Sequence, residues 1–293
     1  MGTMARIIDG TGAAAELMAA AAAGAADLRL RYGRPPGLAI VVAGDDPRAV
    51  LWAGEEERAA VAAGFHAELH RMPVLSSLQA VLQMIGRLND APEIDGVAVQ
   101  LPLPEELDAA DVLGAIAPAK DVLGLTPVQT GRLLLGEKGL RPCLPAAVME
   151  ILRLAEAGPE GRETVVIGHG GAAERQLAML LVEAQARVTL IRAGAENLAA
   201  AARSADLLIS LADRPGFMDS RHIRPGAVVI DAGGGQVDGQ FCGDVKPDEA
   251  LASAGSLAPV ATGVVPLTLA MLMRNAVEAT RWRFSASGMS PAS

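Results

Sequence analysis

The chain has 293 residues, 51% of them hydrophobic and 20% charged, with a formal net charge of −9. That length and apolar content suit one large or two medium packed α/β domains and exclude a disordered chain. The acidic balance lacks the basic surface needed to displace counterions from nucleic acid or an anionic membrane, so neither is expected as a partner.

The first apolar run, AAAELMAAAAAGAADLRL, is mostly alanine and carries Glu16, Asp27 and Arg29. Alanine favours helix without much membrane affinity, so no leader or membrane span is read here. Short β-branched runs then alternate with longer Ala/Leu-rich ones. GLAIVV precedes a helix through Ala63, HAELHRM precedes SLQAVLQMIGRLND, and IDGVAVQLPLP precedes DAADVLGAIAP. This is the rhythm of a parallel sheet covered by helices on both faces.

Within the helix that runs through Ala63, Glu55, Glu56 and Glu57 form an acidic run, which by itself reads as a solvated first turn complementing the helix dipole. A second α/β series follows the proline-bracketed RPCLPAA. It comprises helix AVMEILRLAEAG, strand ETVVIGH, helix RQLAMLLVEAQ, strand ARVTLIR, helix ENLAAAARSA and the strands DLLISLA and GAVVIDAGGG. The expected domains are 1–146 and 147–266. A last helix over 267–284 is expected to return to the first domain, and 285–293 to form a disordered tail. The methionines of LTLAMLMRNAV read as core packing at helical spacing.

Cys143 and Cys242 are the only cysteines, too few and too far apart for a metal knuckle or a disulfide framework. A reducing, cytoplasmic setting is expected. His66, His70, His169 and His222 are scattered, with no carboxylate or metal-ligand grouping visible, so surface or turn roles are expected and no metal site. Asp9 and Asp231 fall near strand or loop ends, where capping is the simplest role.

VVIGHGGAAERQL places Gly168, Gly170 and Ala173 at G-x-G-x-x-A spacing between a strand and a helix. Glycines there let the backbone approach a pyrophosphate, and free helix amides attract its charge. The next strand ends at Arg192, where a guanidinium suits the extra phosphate of NADP and an acid would suit NAD. Glu174 in the same turn would repel a pyrophosphate unless it points away.

DGVAVQLPLP, Asp95 to Pro104, is more specific: a strand ending in Gln100, followed by two stiff Leu-Pro steps. With GDDP, AAGF, IAPAKDVLGL, RPCLPAAV, VVIGHGGAAERQLAMLL, ADLLIS, PGAVVIDAGGG, GDV and PVATGVVPLTLAML in order, the chain resembles the methylenetetrahydrofolate dehydrogenase/cyclohydrolase family from about Met4 to Arg283. The resemblance implies an N-terminal α/β folate domain and a C-terminal Rossmann-like NAD(P) domain with a folate cleft between them. It further implies a cytoplasmic homodimer that binds a folate-type pterin and NADP, or alternatively NAD.

By the same resemblance, Trp52 stands where the family has a folate-stacking tyrosine, and Glu56 where it has the lysine central to the cyclohydrolase step. Gln100 is retained. Leu123 replaces the pterin-binding aspartate of KDVDG, whereas Lys120, Asp121 and Gly124 remain. Pro266 would also contact substrate. Gly168, Gly170, Gly171, Ala173, Arg192, Asp231 and Thr268 would contact the cofactor. His169 and Gly170 replace an Arg-Ser pair, Glu174 and Gln176 replace a glycine and a proline, and the roof loops read PVATGVVP and DAGGG. These changes imply a dehydrogenase whose cyclohydrolase step is weak or lost or, alternatively, a catalytically inactive relative acting as a binding or regulatory module.

Overall fold

A computed structural model describes residues 5–237 and 240–286. In chain order its elements begin β1 (Arg6–Ile7), α1 (Thr11–Tyr32), β2 (Gly37–Ala43), α2 (Pro47–Ala62), β3 (His66–Met72), α3 (Leu78–Asp90) and β4 (Gly96–Val99). They continue with α4 (Ala109–Gly114), α5 (Pro127–Leu134), α6 (Cys143–Leu154), β5 (Glu163–Gly168), α7 (Ala172–Glu183), β6 (Arg187–Arg192) and α8 (Leu198–Ala202). The last are β7 (Leu207–Leu211), β8 (Val228–Asp231), β9 (Gly234–Val237), β10 (Gln240–Gly243), α9 (Pro247–Ser253), β11 (Ser256–Ala258) and α10 (Val265–Ala286).

The chain divides into two compact units, each an α/β domain on a parallel sheet, as the alternation of elements predicts. The first comprises Ala15–Cys143 and the chain from Leu269; the second comprises Leu144–Thr268 and the chain up to Ala14.

In the first unit β2 lies between β3 and β4, all parallel. β2 is buried throughout, which is why it reads as an unbroken apolar run and not as an alternation. α3 covers the sheet with Val81, Ile85 and Leu88, a helical stripe joining Val41, Val97 and Val99 in one core. The end of α10 belongs here. Asn275 Nδ2 donates to the carbonyls of Val122 (2.9 Å) and Arg141 (2.8 Å). Arg283 Nη1 reaches the carbonyl of Ile94 (2.8 Å) and the carboxylate of Asp95 (2.9 Å).

The sheet of the second unit runs β1-β11-β8-β7-β5-β6 and is parallel at every pairing. Ile167, Leu208 and Val229 lie in its core. Four features differ from the sequence expectation. Arg6 and Ile7 pair with β11 and so belong to the second unit, and both β1 and β11 are too short to show a period. β9 and β10 form an antiparallel hairpin within a stretch read only as a glycine-rich strand end. The units divide between Cys143 and Leu144, inside the first turn of α6. Ser285 and Ala286, expected in the tail, continue α10; the rest of that stretch, 287–293, lies outside the described residues.

α10 and the turn before it, Val260–Ala286, are long and apolar enough to meet the composition of a membrane span. Met271, Leu272, Met273 and Ala276 of this helix are buried in the fold.

Candidate active site

α2 is the element that aims the acidic run. Asp46 caps it, accepting from the amides of Arg48 (2.9 Å) and Ala49 (3.3 Å), and Pro47 fits the first turn, where its missing N–H is not needed. Its buried positions are Ala49, Ala53, Glu56 and Ala60, spaced by four, three and four residues. Glu56 therefore occupies the inward stripe of the helix, whereas Glu55 pairs with Arg58 (2.5 Å) on the partly exposed side. A carboxyl on a stripe otherwise made of alanines is a signal visible in the sequence itself.

Facing it is Gln100, directly after β4, its own amide bonded to the carbonyl of Val41 (2.9 Å). The carboxyl ends of parallel strands are where open α/β sheets place ligands. The peptide after it, Leu101–Pro102, is cis. Gln100 Nε2 donates to Glu56 Oε2 at 2.7 Å, and both side chains are buried. Burial drives the Glu56 carboxyl from 4.5 up to about 8, against the opposing effect of the Gln100 bond. The group is therefore mostly a neutral acid at pH 7.

Cys143 belongs to the same surroundings. Its Sγ donates to the carbonyl of Val122 (3.3 Å) and lies 3.5 Å from Asn275 Nδ2. Its thiol is pushed well above the ordinary range, first by burial and then by the charge of Glu56. Neither Cys143 nor Asn275 stands among the expected site residues. The available signal is an amide, Asn275, within the largely apolar LTLAMLMRNAV.

Trp52 lies half-buried one turn before Glu56 on α2, and Leu123 is half-buried in the loop after Asp121. That loop shows why some of the KDVDG positions are retained. Asp121 accepts from the amides of Gly124 (2.9 Å), Leu125 (3.1 Å) and Thr126 (2.7 Å). Lys120 Nζ donates to the carbonyls of Leu88 (2.8 Å), Asn89 (2.7 Å) and Ala91 (2.9 Å), closing the C-terminus of α3. These two residues fix the main chain, whereas the side chain at Leu123 is aliphatic.

In the second unit the glycine turn runs from Gly168, the last residue of β5, to Gly171, which precedes α7 without capping it by a side chain. Gly170 has φ +85°, a left-handed conformation that suits glycine. Glu174, buried in the first turn of α7, folds back into this loop, its Oε1 accepting from the amide of His169 at 2.8 Å. A Cβ placed on Gly168 would stand 2.2 Å from Glu174 Oε1, and one on Gly171 would stand 2.8 Å from Oε2. The carboxylate therefore points into the turn. Across Gly170 lies the Arg192 guanidinium, 3.3 Å from where a Cβ would be. Ala173 is half-buried in the same helical turn. Glycines, free helix amides and a guanidinium are the groups that suit a dinucleotide phosphate, and the Glu174 carboxylate points into the same turn.

Asp231 is engaged by the fold. Its oxygens accept from the amides of Asp244 (3.0 Å) and Val245 (3.2 Å). Its carboxyl is raised to about 7, by burial and then by the charge of Asp244. Asp244 in turn accepts from Ser210 Oγ (2.6 Å) and from the amides of Ala212 (2.7 Å) and Arg214 (2.7 Å), so the pair ties the loop after β7 and the segment after β10 to the end of β8. The Thr268 hydroxyl donates to the carbonyl of Val264 (2.9 Å), and Pro266 is half-buried in the first turn of α10.

Contrary to the reading of isolated histidines, His66 and His70 share a carboxylate. Alternate residues on β3 face one way, and Glu68 stands 2.9 Å from His66 Nε2 and 3.0 Å from His70 Nε2. The His66 bond is the chief cause that holds the Glu68 carboxyl below its ordinary value. Among the described residues no group of three or more His, Cys, Asp or Glu side chains is arranged to hold a metal.

A parallel sheet with a glycine turn at a helix N-terminus, joined in one chain to a second parallel-sheet unit, defines a two-domain α/β protein of the Rossmann-like NAD(P) class. Comparison with known proteins narrows this. The catalytic domain of tetrahydrofolate dehydrogenase/cyclohydrolase matches residues 8–122, and the NAD(P)-binding domain of the same family matches 142–284. The bifunctional protein FolD 1 of Rubrobacter xylanophilus is 40% identical over 281 residues, covering 96% of this chain and 99% of that protein. Among solved structures, the methylenetetrahydrofolate dehydrogenase-cyclohydrolase of Trypanosoma brucei, complexed with NADP and an inhibitor, superposes with a TM-score of 0.91 at 32% identity, covering 97% of this chain and 99% of that one. The bifunctional FolD enzyme of Campylobacter jejuni gives a TM-score of 0.89 at 29% identity, covering 94% and 99%. The chain belongs to the tetrahydrofolate dehydrogenase/cyclohydrolase family.

Proposed function

We propose that this protein is an NAD(P)-dependent dehydrogenase of methylenetetrahydrofolate, or of a closely related reduced pterin, in which the cyclohydrolase step has been lost. The observation that carries the reading is the buried Glu56–Gln100 pair in the place where the resemblance puts a lysine beside the glutamine. An ammonium there donates hydrogen bonds to the glutamine and can polarise the pterin and the water that adds to the methenyl carbon. A carboxyl held near 8 supplies one O–H when protonated and none when ionised, and in neither state a positive charge.

Hydride transfer places a smaller demand on that position. The nicotinamide, when bound, accepts the hydride, and the protein must hold donor and acceptor close and aligned. Trp52 supplies an aromatic face for the pterin, and Gln100, oriented by Glu56, supplies an amide at the strand end. In its ionised form, which predominates only above about pH 8, Glu56 favours a cationic methenyl product over its neutral precursor. Leu123 leaves the amino edge of the pterin without a carboxylate partner, so folate affinity is expected to be weaker than with aspartate. Residues Gly168, Gly170, Gly171, Ala173 and Arg192 hold NADP, with NAD the alternative, and the protein acts as a cytoplasmic homodimer with no nucleic-acid or membrane partner.

The position of Glu174 favours one second reading, a non-catalytic relative that keeps the fold as a binding or regulatory module. The two separate on one assay: NADPH or NADH formation from methylenetetrahydrofolate by the purified protein. Absence of turnover with both cofactors eliminates the dehydrogenase.

A further inference from the structure

The phosphate turn of the second unit carries its own anion. Glu174 is 5% exposed, bonds the His169 amide at 2.8 Å, and sets its two oxygens 2.2 and 2.8 Å from the places where side chains on Gly168 and Gly171 would begin. The space that glycines open for a ligand is therefore filled by a carboxylate from the adjoining helix, on the side where helix amides favour negative charge. Arg192, on the other side of Gly170, is exposed, its guanidinium 3.3 Å from where a Gly170 side chain would begin, and among the described residues no ion pair is found for it. The turn thus has a carboxylate inside it and an uncommitted cation at its rim.

We propose that Glu174 is an intramolecular competitor for the dinucleotide pyrophosphate, so that NADP or NAD binds only in exchange for it. This rests on the reading of the second unit as an NAD(P) site. Two consequences have opposite signs. In the free protein, Glu174 stabilises the turn by capping the His169 amide. Toward a cofactor, the same carboxylate weakens binding through like charge and occupied volume, and does so equally for NADP and NAD, because both carry the same pyrophosphate. Arg192 sets the preference between the two; Glu174 sets the affinity for either.

The test is calorimetric titration of NADP and NAD into the full-length protein and its Glu174→Gln and Glu174→Gly variants, with thermal unfolding of each protein alone. Glutamine keeps an oxygen for the His169 amide and removes the charge, so it stays informative where glycine destabilises the turn. The expected result is a Kd lower by tenfold or more in both variants for both cofactors, while the cofactor-free proteins melt at the same temperature or lower. A purely structural role would lower the melting temperature and leave Kd unchanged or raised, and that result overturns the proposal. If Kd is unchanged and wild type still reduces NADP with methylenetetrahydrofolate, the gate falls and the dehydrogenase stands. If neither wild type nor variant binds either cofactor, both fall.

Discussion

Replacing Glu56 by glutamine tests the state of the buried carboxyl without altering its shape. Glutamine keeps an acceptor for Gln100 Nε2 and cannot ionise. In the wild type the carboxyl is protonated below 4.5 in both the folded and the unfolded chain. Between 4.5 and about 8 the unfolded chain releases the proton and the folded chain retains it, so stability falls as pH rises; above about 8 both forms are ionised and the loss is complete. At about 1.4 kcal/mol per pH unit the interval amounts to roughly 5 kcal/mol, an upper bound because water entering with the charge relieves part of it. Trp52 and Trp282 both belong to the unit that contains Glu56, so urea unfolding followed by tryptophan fluorescence reports on that unit. Between pH 5 and pH 9 the wild type is expected to lose several kcal/mol relative to Glu56→Gln, the two being nearly equal at the acid end. Asp231 and Lys120 titrate alike in both proteins and cancel in the difference. Parallel curves, or a glutamine variant less stable than wild type at pH 9, would refute the assignment of a buried, neutral Glu56.

Three other outcomes follow from the geometry. Glu56→Lys combined with Leu123→Asp restores both lost side chains on a main chain still held by Lys120 and Asp121, and is expected to raise methenyl hydrolysis at least tenfold, measured by decay of the methenyl absorbance. Lys120→Met leaves three carbonyls at the end of α3 without their donor and is expected to destabilise the first unit by about 2–3 kcal/mol in urea unfolding. Asp244→Ala removes the acceptor for Ser210, Ala212 and Arg214; with each orphaned donor costing about 1–3 kcal/mol, thermal unfolding of the second unit should shift down sharply.

Much of this architecture is legible in the sequence because a parallel strand buried on both faces, such as β2, is an unbroken apolar run, and helices such as α3 carry a clear stripe. β1 and β11 escape because two or three residues cannot express a period, and because their pairing joins the start of the chain to residues some 250 positions later. At the site, a helical wheel of α2 already places Glu56 among Ala49, Ala53 and Ala60, but only the resemblance says which side chain it displaces. The carboxylate shared by the surface histidines of β3 appears only when the segment is counted in twos. Asp231, read as a cap near a strand end, accepts from the amides of Asp244 and Val245. The direction of Glu174 depended on a side-chain torsion, which no pattern of residues encodes.

The most direct test of the central claim measures both activities on one preparation of the wild-type protein: reduction of NADP and NAD with methylenetetrahydrofolate, and hydrolysis of methenyltetrahydrofolate against the spontaneous rate. The account predicts cofactor reduction with methenyl hydrolysis no faster than in buffer. Rapid enzymatic hydrolysis, or no reduction of either cofactor, would contradict it.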